Sequence, residues 1–178
     1  MRAALDLFTE QGYDNTTVAQ IAERAGLTKT TFFRHFPDKR EVLFAGQDTH
    51  SRLLADGIAA APSSATPLEA VAAALDAATA TFTPDQRGFG PRLQAVIAGN
   101  AELQEREAFK RAGLAAAMTG ALQKRDVPDP AASLAAELGV RAFYSAFARW
   151  ADPASQQTFT ELARQALHEL RAATAALD

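Results

Sequence analysis

An all-α fold is predicted by three features of this 178-residue chain. The apolar fraction is 48%, and much of it is Ala, the strongest helix former. No β-branched alternating run is long enough to make a strand. Gly and Pro punctuation cuts the chain into segments of helical length. The chain has no cysteine, so disulfides and thiol chemistry are excluded. No apolar span approaches the about 18 residues of a membrane helix, and no charged segment with an apolar core opens the chain. The expectation is a cytoplasmic protein with no membrane partner.

Taken in order, the first helix runs through Ala4-Leu5-Asp6-Leu7-Phe8 to its stop at Gly12. Thr17 opens the second, with Gln20 at the spacing of a reciprocal capping box. Val18, Ile21, Ala22 and Ala25 repeat at helical intervals and predict its buried face. Gly26 follows, where positive φ turns the chain sharply. Thr28 caps the third helix, and Pro37 ends it by pushing Phe36 out of the α region. Two helices of about two turns each, joined at a Gly, with small Ala22 allowing close approach, form a helix-turn-helix unit. The second helix of such a unit lies in the major groove of DNA.

The faces of that helix carry the chemistry. Phe32 and Phe36 stack one turn apart toward the core, joined by Leu27. Thr30, Thr31 and Arg34 lie opposite, with Lys29, Phe33 and His35 on the flanks. Such a face offers donors to phosphates and base edges. Arg24 to Arg40 holds five basic residues and one acid, Asp38, a local balance of +4 in a chain of net charge −3.

Leu-Thr-Lys-Thr-Thr-Phe-Phe-Arg-His-Phe-Pro-Asp-Lys, residues 27–39, resembles the recognition helix of TetR-type transcriptional repressors. The flanks Ala4 to Tyr13 and Thr16-Thr17-Val18 match the same family. The resemblance implies a DNA-binding domain over residues 1–45, a ligand-binding and dimerisation domain over 46–178, nine helices and no cofactor. It assigns Thr17 and Lys39 to phosphate, Thr28 and Lys29 to the helix start, Thr30 and Thr31 to bases, and His35 to the DNA backbone. Phe33 stands where the family has Tyr, which removes a hydroxyl contact to phosphate. Thr30 replaces a common Gly and adds a methyl and a hydroxyl at the base-reading face. Met1 falls inside the expected first helix, where family members carry another turn and often a basic arm; a trimmed start is expected.

Downstream, Asp38 with Glu41 predicts a capped helix running to about Ala60. Pro62 to Pro67 reads as a loop. Helices follow at about 67–82, 91–99, 102–125, 130–151 and 155–177. The eighth is apolar on both sides, Leu134 and Leu138 against Val140, Phe143, Phe147 and Trp150, so both sides are expected to be buried. The ninth carries a stripe of Phe159, Leu162, Ala163, Ala166, Leu167, Leu170 and Leu177. Together they predict a homodimer through the last two helices.

The seventh helix suggests an effector site. Leu103, Phe109, Leu114, Ala117, Met118 and Ala121 define an inward arc that also holds Arg106, Glu107, Lys110, Gly113 and Gly120. With Phe143 and Phe147, this set predicts a pocket for an apolar small molecule with an anionic end. The stretch from Arg92 to Arg111 also resembles a TetR subgroup with an acyl-CoA-like ligand domain. The alternative is a DNA-binding protein without an effector, distinguished by whether the region after residue 60 encloses a cavity. An enzyme is not expected. His35, His50 and His168 have no acids at metal-ligand spacing, and no nucleophile elbow or phosphate-binding Gly loop occurs.

Overall fold

The computed structural model of the chain describes residues 1–177, all but the side chain of Pro84. Among the described residues there are nine α-helices and no strand. They are α1 Arg2–Gln11, α2 Val18–Arg24, α3 Lys29–His35, α4 Gln47–Ala60, α5 Pro67–Thr79, α6 Pro84–Ala98, α7 Ala101–Gln123, α8 Asp129–Ala151 and α9 Phe159–Ala175. The chain forms two compact units, Met1–Gln47 with Pro91–Ala108, and Asp48–Gly90 with Phe109–Asp178. The segment 91–108 thus groups with the N-terminal unit.

In the first unit, α1 buries Ala4, Leu5, Leu7 and Phe8, and the Phe8 and Tyr13 rings meet at 5.1 Å. The capping box at Thr17 forms as its spacing requires, with Gln20 Oε1 accepting from the Thr17 N–H at 2.8 Å. α2 ends in a Schellman motif: Leu27 N–H donates to the Ala22 carbonyl and Gly26 N–H to that of Glu23. Gly26 sits at φ +67°, a conformation that a Cβ would strain. Ile21 and Ala22 are buried and Val18 is half-buried. Ala25 and Leu27, expected inside, are exposed instead. Both belong to the turn itself, so neither follows the buried side of α2.

The helix expected from Asp38 to Ala60 begins only at Gln47. Asp38 Oδ1 does accept the Glu41 N–H at 3.0 Å. The Glu41 carboxylate accepts from Arg106 Nε. Residues 40–47 wind through three-residue turns, and Gly46 at φ +90° interrupts the α conformation. Val42, Leu43 and Phe44 are nevertheless buried.

The second unit packs α5, α8 and α9 together around Val71, Leu75, Ala136, Val140, Leu162 and Leu167. α4 approaches α5 so closely that a Cβ on Gly57 would lie 2.6 Å from Ala74 Cα. α6 starts at Pro84, seven residues before the expected start at 91, and runs through Pro91. Pro91 has a φ compatible with the α conformation, so the helix continues through it, although it lacks the N–H that the Arg87 carbonyl would accept and its ring crowds that carbonyl. α9 starts at Phe159 rather than 155, because Thr158 and Glu161 form its capping box. Most of the α9 stripe, Phe159 to Leu167, is buried within this unit; Leu170 is half-buried and Leu177 exposed. On α8, Leu138 is half-buried and Leu134 is 56% exposed. No helix among the described residues is long and apolar enough to cross a membrane.

Candidate nucleic-acid interface

α3 is held by its cap and by one ring. Thr28 Oγ1 accepts the Thr31 N–H at 3.1 Å, which satisfies one of the open donors of the first turn. Phe32 is buried, with Phe36 at 5.4 Å and Phe33 edge-on at 5.6 Å. Anchoring Phe32 inward turns Lys29, Thr30, Arg34 and His35 outward, all exposed, with Thr31 half-buried beside them. Phe33 is 53% exposed and Leu27 46%, so the outward surface has apolar as well as cationic groups.

The local excess of positive charge is smaller than the residue count suggests. Arg24 makes a two-pronged ion pair with Glu10 at 3.0 and 2.9 Å, which holds the Glu10 carboxyl below its ordinary value. Arg40 pairs with Asp38 at 3.0 Å and Glu102 at 3.1 Å. Among the described residues neither Lys29 nor Arg34 has an acid partner, so α3 presents two cations outward.

Lys39 is engaged internally. Its ammonium donates to the Tyr13 carbonyl at 2.7 Å and the Thr16 carbonyl at 3.0 Å, and lies 4.1 Å from the Tyr13 ring centroid. It therefore fastens the α1–α2 connection to the segment after α3. Burial, together with Glu102, pushes the Tyr13 hydroxyl up to about 12. Thr17 spends its hydroxyl on the α2 cap.

The segment 91–108 completes this unit through pairs that sequence spacing does not reveal. Arg92 meets Asp6 at 2.7 Å, Arg106 meets Glu41 at 2.5 Å, and Asn100 meets Asp14 at 3.3 Å. Their partners are 65 to 86 positions apart, so no local pattern could have signalled them.

The residues expected to line an effector pocket are dispersed. Arg106 belongs to the first unit and Phe109, Lys110, Gly113, Met118, Phe143 and Phe147 to the second. Phe109 is 67% exposed and Gly113 is exposed, off the inward arc of α7. That arc is Leu114, Ala115, Met118, Ala121 and Leu122. Lys110 stands 3.8 Å from Asp48. Met118 is fully buried, its thioether methyl against Gly139. Phe143 and Phe147 join Phe82, Trp150 and Phe159 in one aromatic cluster with His50, and Met118 lies in the same hydrophobic core as Phe143.

Residues 1–45 match the sequence model of bacterial regulatory proteins of the tetR family. The HTH-type transcriptional regulator TcmR of Streptomyces glaucescens is 39% identical over 77 residues, 43% of this chain and 34% of that protein. The chain thus spans about a third of the length of this relative. A TetR-family regulator from Mesorhizobium loti shares the fold over 98% of this chain and 93% of its own, with a TM-score of 0.55 and 19% identity. The fatty acid degradation regulator FadR of Bacillus halodurans does so over 95% and 94%, at 0.52 and 18%. The family match is thus confined to residues 1–45, and the likeness to the solved structures shows the fold of the whole chain.

Proposed function

We propose that the chain is a transcriptional repressor that binds a near-palindromic operator as a homodimer and is released by a small apolar effector. Residues 1–45 would read DNA, and residues 46–178 would bind the effector and pair the subunits. The observation that carries the reading is the capped α3 with Phe32 buried behind it and Lys29, Thr30, Arg34 and His35 outward. A helix seated this way can enter a major groove without unfolding anything. Arg34 and Thr30 would read base edges, with Thr31 beside them, and Lys29, Thr28 and His35 would hold phosphates. Phe33 and Leu27 would contribute apolar contacts only. Thr17 and Lys39 can join the phosphate contacts only with donor capacity beyond their internal bonds.

Pairing through α8 and α9 would use their outward sides, Leu134 and Leu138 above all. The fatty-acid regulator with the same fold lends support to an acyl-type effector. Against an anionic end bound at α7 stands the pairing of Arg106 with Glu41 and Lys110 with Asp48, which an incoming anion would have to displace. Release would follow from the effector's preference for a dimer conformation unsuited to the operator.

Selection of bound duplexes from a random library should enrich a palindrome whose half-sites lie about one to one and a half turns apart. Arg34→Ala should relax preference at one base position, at a cost of about 1–3 kcal/mol. A library that yields no motif at low salt would sink the reading.

A further inference from the structure

The second unit has an open groove of about 340 Å³ between the end of α5, the start of α6, the end of α8 and the start of α9. We propose that it binds a small aromatic carboxylate. Its apolar wall is built from rings. Trp150 and Phe159 stack at 5.2 Å and 14°, and Phe82 stands edge-on to both, at 6.0 and 4.9 Å. Trp150 and Phe159 are buried against the core, so the wall is rigid and suited to a planar ring.

The polar groups favour an anion. Arg87 Nη2 donates to two neutral carbonyls, Asp152 at 2.9 Å and Ser155 at 2.5 Å. These bonds fix the guanidinium at the groove, and among the described residues no carboxylate is hydrogen-bonded to it. Among the described residues its Nε and Nη1 donors have no partner, out of the five N–H groups that an arginine offers. Elsewhere in this unit Arg149 and Arg164 are each matched by a carboxylate, Glu169 and Asp76. Arg125 is likewise bound to carbonyls, those of Ala61 and Pro62. Two acids of the flanking segments accept backbone N–H groups while keeping their charge. Asp152 accepts the Ala154 N–H, and Glu161 accepts that of Thr158.

Thr160 sets the opposite side. The buried Thr79 hydroxyl gives its single proton to the Leu75 carbonyl at 2.8 Å, so the 2.9 Å contact between the two threonines is donated by Thr160. Thr160 therefore presents lone pairs to the groove. A ring carrying a carboxylate toward Arg87 and a donor toward Thr160 satisfies both ends. The volume, at the low end for ligand sites, restricts the ligand to one or two rings.

Trp150 is the only tryptophan of the chain, so its fluorescence reports the groove directly. Titration of the full chain with benzoate should change that emission saturably, and benzamide should bind about tenfold more weakly, having lost a charge-assisted contact. Arg87→Gln should erase the difference between the two probes. Because Arg87 also ties down the α8–α9 connection, Ala80→Leu is the second variant: Ala80 is exposed on the groove rim, and the larger side chain should block both probes. Linear quenching without saturation, equal affinity for benzamide, or a response that survives Ala80→Leu would each overturn the site. As an effector site the groove rests on the repressor reading, but ligand binding does not. Saturation by benzoate in a protein that selects no DNA sinks the repressor alone, and operator binding without a benzoate response sinks the groove alone.

Discussion

The two compact units place several of the same residue types differently. Around the seven residues of α3, the first unit turns outward two large apolar side chains, Leu27 and Phe33, and two cations without acid partners, Lys29 and Arg34. The second unit gathers Phe82, Phe143, Phe147, Trp150 and Phe159 into one cluster and ties Arg149 and Arg164 to carboxylates. Groups left unsatisfied on a well-capped helix are available to a partner, whereas groups satisfied internally stabilise the fold. Exposure alone does not mark α3 as the candidate nucleic-acid face, since Phe109 and Leu134 are exposed on α7 and α8; its exposed rings and cations together do.

The largest expected effect tests that distinction inside α8 and α9. Leu167 is buried in its own unit, so Leu167→Glu should cost about 5 kcal/mol or more by combining a lost core side chain with a buried charge. Urea unfolding followed by circular dichroism would register it. Leu134→Glu should leave that stability within about 0.5 kcal/mol, because the side chain is exposed. If the homodimer pairs on this side, light scattering should show the Leu134 variant as a folded monomer. A Leu134 variant that stays dimeric removes Leu134 from the interface.

The corresponding pair in the first unit is Phe32 and Phe33, adjacent in sequence and opposite in exposure. Phe32→Ala should destabilise the unit by about 3–5 kcal/mol and abolish operator binding with it. Phe33→Ala should be near neutral for folding and weaken DNA binding alone. Equal losses of stability in the two variants would break the comparison.

How far these contrasts could be read from the chain depends on the range of the interaction. The caps at Thr17 and Thr28, the turn at Gly26 and the anchor Phe32 are written within a few positions, and each is where its local pattern puts it. Lys39, by contrast, reads as a surface cation and is engaged by Tyr13 and Thr16, more than twenty positions away. Arg106 and Lys110 stand on an apparently apolar arc because helical spacing cannot show Glu41 or Asp48. The Asp38 cap does not start α4, because Gly46 at positive φ interrupts the α conformation just before Gln47. The start of α9 was legible, since Thr158 and Glu161 have the spacing of a capping box. Burial on α9 cannot be divided between core and dimer from periodicity, since one apolar stripe serves either.

The smallest effect concerns the one titratable ring in the aromatic cluster. His50 stacks on Phe82 at 4.9 Å and 20°, with Phe143 at 6.2 Å. Burial disfavours the imidazolium and lowers its pKa below the ordinary value. The unfolded chain takes up this proton near pH 6.5 and the folded chain only at lower pH, so the unfolded state binds more protons in between. The contribution of His50 to stability is therefore complete above about pH 6.5 and declines as pH falls through that value toward the folded pKa. The slope from one such group cannot exceed about 1.4 kcal/mol per pH unit. His50→Gln should remove this component, so the stability difference between variant and parent should shift between pH 7.5 and 5.5 in favour of the variant. A difference that is flat with pH would mean that His50 titrates alike in both states and that the cluster does not exclude the charged ring.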